Sequence, residues 1–293
     1  MTKEREGEIL MVGLSLLESW FPIFSIVAMS YIGALHTYTY SLLIALVFFI
    51  MMMFKRGRFK ELKNKAAYKD LLLTSFWITS LFALVFIGMR YTTAGNMAVI
   101  IFLQLLFSYL YFNLFGKEKM HALHLWGAFI MGIGALIILI PDELTFNKGD
   151  LLILVAAAIA PVANLYQKRA REFCSTETIL GFRTFVGLPF IALMAWTFEP
   201  AVEYNAFVSA LPSLLFIGIL IYVVSKIMWI EALHRTSITK LSAMLGLVPM
   251  MTLVFAYFYL HEVPELRQVL GIVPVLAGGY LLTKPVENQG VIT

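Results

Sequence analysis

Three charged residues stand inside long apolar runs of this chain, and each could do chemistry there. Glu18 lies in LLESWFPIF, Arg183 in ILGFRTFVG and Lys226 in VVSKIMW. A charge in the middle of a bilayer costs from about 2.5 to more than 10 kcal/mol, so such residues face an interior cavity or one another. A carboxylate held this way can exchange a proton or hold an amine, or else form a standing pair with a buried arginine or lysine. The planar, permanently charged fork of Arg183 suits a carboxylate, brought by a substrate or supplied by Glu18. Lys226 falls close to the end of its run, where a flexible stem carries the ammonium to the headgroups. Turned inward, it would replace Arg183 as the anion partner.

Pro22 follows Glu18 by one turn. It removes a backbone hydrogen bond and loosens or kinks the helix, leaving the Glu18 carbonyl free for a ligand. Pro161, with Asn164 three residues on, is its loose counterpart in the sixth apolar run. Both halves of the chain thus open on a proline-interrupted helix, the pattern that points to a transporter's site. Trp20 and Tyr166 flank the two prolines and are expected to wall a cavity, where a π face can hold an aromatic side chain or an organic cation. Gln104, Asn113 and Asn164 lie within apolar runs as helix-to-helix hydrogen bonders or ligand contacts. Glu118 and Glu262 read as structural acids at helix amino termini. The five histidines fall in or beside loops without metal-ligand spacing, so no metal and no cofactor is expected. No H-E-x-x-H, P-loop or G-x-S-x-G pattern occurs, which leaves ATP hydrolysis and acyl chemistry without a foothold.

The elements that must position these residues follow from composition. Of 293 residues 60% are hydrophobic and only 14% charged, against about 45–50% and about 25% in soluble domains. The chain reads as an all-α polytopic membrane protein. About 20 predominantly apolar residues make a span, and ten stretches qualify: 8–29, 37–54, 68–89, 95–115, 123–140, 149–167, 178–198, 207–229, 240–260 and 266–283. The second is short and could begin nearer Gly33. The run after the charged amino end is span-length and lacks a small-residue exit, so it reads as an anchor and not a cleaved signal. One cysteine, Cys174, rules out a disulfide framework, and its charged neighbours place it at a helix end or loop.

The net charge of +4 does not point to nucleic acid, because the basic residues sit in loops. Seventeen of the 22 lysines and arginines fall on the side of the amino terminus; Arg90, Lys148 and Arg267 fall on the other, and Arg183 and Lys226 lie in spans. The positive-inside rule then puts both termini in the cytoplasm.

The chain also repeats itself. Shifted by 144 positions, Thr92 falls on Thr236, Glu118 on Glu262, Gly127 on Gly271 and Gly134 on Gly278. The identities fall where helix pairs need a polar turn, an acid or a close contact. The repeats are expected at residues 1–144 and 145–293, meeting in PDELTFNKG. Five spans in each is an odd number, so the second copy crosses in the opposite sense; such inverted repeats hold their substrate near the midplane.

The tract from Ala232 to Leu282 carries Ala232 and Leu233, a turn at Thr236 and Ser237, Pro249 in the next helix, Glu262 at its far end, and Gly271, Gly278 and Gly279. In these residues it resembles the second repeat of the EamA family in the drug/metabolite transporter superfamily. The first repeat, Gly88 to Leu139, keeps Glu118 and Gly127 but has Leu105 near the place of the proline. The resemblance implies ten helices and transport of small metabolites, often export of amino acids or related compounds.

On this reading the chain is a secondary active transporter in the plasma (inner) membrane, not an enzyme. Its partners are a small-molecule substrate, the bilayer and, if Glu18 exchanges one, a coupling proton. Glu18 takes an amine or a proton, Arg183 a carboxylate, and the aromatics a side chain. Efflux of organic cations or drugs is the alternative, needing Glu18 and aromatics without Arg183. A membrane-embedded enzyme would require clustered Asp, His or Glu at one face, and a scaffold would explain neither Glu18 nor the inverted halves.

Overall fold

In a bilayer each backbone N–H and C=O must find its partner inside the chain, so apolar runs of this length become helices. The computed structural model describes residues 3–114, 122–139, 147–235 and 244–284, and every regular element among them is helical. The first half holds α1 (Lys3–Ile32), α2 (Ala34–Lys55), α3 (Tyr68–Met89), α4 (Ala94–Phe102), α5 (Gln104–Leu114) and α6 (Ala122–Leu139). The second holds α7 (Lys148–Ala170), α8 (Thr176–Phe198), α9 (Tyr204–Leu215), a π-helical stretch Phe216–Ser225, α10 (Lys226–Arg235), α11 (Leu247–Leu260) and α12 (Leu266–Thr283). Among the described residues seven helical segments are long and apolar enough to cross a membrane, and α6, α11 and α12 are shorter apolar helices at the fifth, ninth and tenth expected places. The second span begins at Ala34, just after Gly33, and the eighth is longer than its apolar core, from Tyr204 to Arg235.

The prolines do not interrupt their helices. Pro22 sits inside an unbroken α1 and Pro161 inside an unbroken α7. Each removes one backbone donor, and the rest of the ladder holds the helix. The irregularities lie elsewhere: the fourth span breaks at Leu103, the eighth widens into π turns, and a turn at Leu245 and Gly246 precedes α11. Leu103 and Leu247 are equivalent under the shift of 144 positions, so both repeats interrupt the same span within two residues of one place; Pro249 follows the second break, and no proline marks the first.

The two halves pack as an inverted pair. α6 lies on α12, α2 on α8, α3 on α7 and α1 on the eighth span; α1 also meets α11 as α4 and α5 meet α7. Exchanging first with sixth, second with seventh, and so on through the ten spans, leaves this set of principal contacts unchanged. The α6–α12 seam shows the sense directly. Gly127 abuts Gly278 and Gly134 abuts Gly271, so the helices run antiparallel about a two-fold axis between them. A Cβ at Gly134 would stand 2.7 Å from the Gly271 carbonyl oxygen, and one at Gly278 would stand 2.5 Å from that of Gly127. Backbones this close are possible only with small residues, which is how helices associate where lipid competes for apolar contact. Thr236, Glu118 and most of the expected boundary loop fall outside the described residues.

Two acids tie the halves at their ends. Glu199, after α8, accepts the Ala34, Leu35 and His36 amides at the start of α2, at 2.9, 3.0 and 2.9 Å. Gly33, at φ 84°, makes the turn, and a Cβ there would run into the Glu199 carboxylate. On the basic side, Glu61 accepts from the Ser175 amide at 2.7 Å and the Thr178 hydroxyl at 2.8 Å at the start of α8. Burial raises the Glu61 pKa, but these bonds and Arg58 together outweigh it and hold the carboxyl below its usual range. Orphan amides at a helix amino terminus favour a carboxylate for the same reason in both places.

Candidate functional site

The helices enclose a cavity of about 150 Å³ bounded by α1, α3, α4, α5, α7, α8, α10 and the start of the ninth span. Its polar lining is Glu18, Gln104, Asn164, Gln167, Arg183 and Lys226; its apolar wall includes Phe21, Phe82, Phe102 and Trp229. The helix breaks serve it. Gln104 follows the break at Leu103, its equivalent Val248 follows the turn at Gly246, and both side chains line the space.

Glu18 is brought there by α1, one turn before Pro22, and is gripped from the eighth span. Lys226 Nζ lies 2.6 Å from Glu18 Oε1, and the Ser225 hydroxyl donates to the same oxygen. Those two residues are where π turns give way to α10, the kind of place where wide turns recur at functional sites. Lys226 therefore does not snorkel. A carboxylate within reach offers the ammonium more than the distant headgroups do, and the ammonium also lies 5.4 Å over the Phe82 ring.

Arg183 comes from α8 and is buried. Its guanidinium donates to the Gln167 side-chain oxygen, and Tyr38 and Tyr222 lie within electrostatic reach. It does not pair with Glu18, and among the described residues no carboxylate forms a salt bridge with it. An unneutralised buried guanidinium facing a cavity is the arrangement that binds an anion.

Not all the expected residues meet. Asn164 lines the cavity as expected. Trp20 does not: it stacks on Phe255 at 4.4 Å and packs against Phe24 and Tyr259, binding α1 to α11. Tyr166 turns away from the wall, with the Arg169 guanidinium 5.6 Å from its ring. Trp20 lies two residues before Pro22 and Tyr166 five after Pro161, but each projects from another face of its helix than the cavity wall, and nearness in sequence says nothing about face. Gln167, which holds Arg183, is absent from the sequence reading; its place one helical turn after Asn164, on the same face, was the available signal.

The face away from the basic loops is closed over this cavity. Ile23, Ala94 and Ala256 pack together there with Trp20 and Phe255 around them. At the same end of the helices a network joins the halves: Asp150 accepts from Thr92 and Asn96, and Gln268 donates to Asn96 at 2.7 Å and Thr93 at 3.1 Å. Glu262 does not serve the helix that follows it. It reaches across the repeats to the Ala94 amide at 3.1 Å, and burial lifts its pKa despite that bond. Losing such a cap costs about 0.5–2 kcal/mol, so Glu262→Ala is expected to shift the lid about 2- to 30-fold toward opening. Labelling of Ala98→Cys, in a Cys174→Ser background, by an impermeant thiol reagent from that face checks this; an unchanged rate removes Glu262 from the lid.

Comparison with known proteins bears on the whole chain. A family model described as "EamA-like transporter family" matches residues 5–140 and again 147–284. An "Uncharacterized transporter" of Archaeoglobus fulgidus is 27% identical over 78% of this chain and 80% of its own. "Uncharacterized transporter YyaM" of Bacillus subtilis is 25% identical over 80% of this chain and 79% of its own. A solved crystal structure superposes with a TM-score of 0.68 over 94% of this chain and 95% of its own at 16% identity, a likeness of fold alone.

Proposed function

Since this multi-pass membrane chain belongs to the EamA-like transporter family, we propose that it exports small organic metabolites bearing a carboxylate, amino acids or related compounds, across the plasma (inner) membrane. The observation that carries this is Arg183, a buried cation on the cavity wall whose partner is the neutral Gln167. Its fork takes the substrate carboxylate, and the aromatic and aliphatic walls take the side chain. Glu18, held by Lys226 and Ser225, is the coupling group of this reading: a proton placed on it would free the ammonium and change the charge of the cavity.

Alternating access is supported by the packing of Ile23 on Ala94 and Ala256 away from the basic loops; cargo then loads from the basic, cytoplasmic side, as export requires. A cavity of about 150 Å³ is also small beside the roughly 300–1,000 Å³ of pockets for drug-sized ligands. With that size and an excess positive charge, organic cations and drugs fit poorly.

Thermal-shift measurements on the purified protein with amino acids, other carboxylates and amines test the reading, since binding to the native state raises the melting temperature by mass action. Carboxylates are expected to stabilise and amines without a carboxylate are not. Stabilisation by amines alone would overturn it.

A further inference from the structure

The charge of the cavity is fixed by three groups, two of which cancel. Glu18 is the one carboxylate among the described lining residues, and Lys226 already holds it at 2.6 Å. Arg183 is left over, so the wall carries one more positive than negative charge. We propose that Lys226 determines specificity: by occupying Glu18 it excludes the ammonium of a zwitterion and selects an apolar monocarboxylate, such as a 2-oxo or 2-hydroxy acid.

The proposal rests on the carboxylate reading and narrows it: of amino acids and related compounds it keeps the carboxylates without an amine and drops the zwitterions. A zwitterion's ammonium reaches Glu18 only by displacing Lys226, which leaves that cation unneutralised inside the protein. A 2-oxo acid displaces nothing and brings the missing negative charge to Arg183. Specificity of this kind lies in the unpaired charge built against the wrong ligand. The walls agree with an apolar body: Phe21, Phe82, Phe102 and Trp229 offer carbon faces.

Leucine and 4-methyl-2-oxopentanoate share a carbon skeleton and differ in the amine, so their affinities for the full-length protein in detergent decide the matter. The wild type is expected to favour the oxo acid by about tenfold or more, and Lys226→Gln to reverse that order. The double variant Glu18→Gln with Lys226→Gln restores the excess charge and is expected to restore the oxo-acid preference. If Lys226→Gln fails to fold, Glu18→Gln alone decides: the wild-type ratio holds or widens, and a narrowed ratio overturns the proposal. Equal binding or a leucine preference in the wild type also overturns it, as does an unreversed preference in Lys226→Gln, and each leaves the carboxylate reading intact. Binding of neither compound to any variant, or binding undiminished in Arg183→Ala, defeats the carboxylate reading and the proposal together.

Discussion

Arg183→Ala is expected to abolish measurable transport while leaving a folded protein. Truncating one partner of a buried, hydrogen-bonded charge pair costs about 2–5 kcal/mol, which is about 30- to 5,000-fold in affinity for a carboxylate seated on that guanidinium. The fold does not share the loss. Arg183 forms no salt bridge with a carboxylate among the described residues, so its removal strands no anion and leaves only Gln167 to repartner. A melting temperature unchanged or raised without substrate, beside lost flux in proteoliposomes, is the expected signature of a group held for function at some expense of stability. Arg183→Lys is expected to recover only part of the flux, because a point charge lacks the planar fork. Flux unimpaired in Arg183→Ala would remove the residue from the substrate site.

Gly278→Leu is expected to leave no stable monodisperse protein in detergent. Even a Cβ there lies 2.5 Å from the Gly127 carbonyl oxygen and the Met131 amide nitrogen, both backbone atoms that no rotamer can move. Overpacking a core costs about 1–3 kcal/mol when side chains can shift; here α6 and α12 must part along their whole seam. Gly278→Ala is expected to lower the melting temperature clearly, and Gly132→Leu to do little, since nothing lies within 4 Å of a Cβ at Gly132. Fluorescence-detected size exclusion with a thermal melt separates the three. A well-folded Gly278→Leu protein would contradict the close approach at the seam.

How far the sequence carries can be followed residue by residue. Apolar length alone placed the helices, because a continuous apolar run of about 20 residues satisfies its own backbone in a bilayer only as a helix. The glycine echoes at 127, 134, 271 and 278 pointed to close contact, and they turn out to face one another across the two-fold axis. Charge inside apolar runs marked Glu18, Arg183 and Lys226, and all three line the cavity. What composition could not give was who pairs with whom. Lys226 looked near enough to the headgroups to snorkel, but a carboxylate from another helix was nearer. The prolines drew attention to Trp20 and Tyr166, yet the breaks that shape the cavity lie at Leu103, which no residue type announces, and at Leu245 and Gly246, just before Pro249. Glu262 could be read as a helix-end acid, but that it serves α4 of the other repeat is a tertiary fact.

The antiparallel seam between α6 and α12 has a consequence for how such a chain could arise. Because each glycine of one helix meets the other's equivalent exchanged end for end, the surface is complementary to a copy of itself turned through 180°. A half-length ancestor inserted in both orientations would have met its twin along this same line, before any link fused the two into one polypeptide.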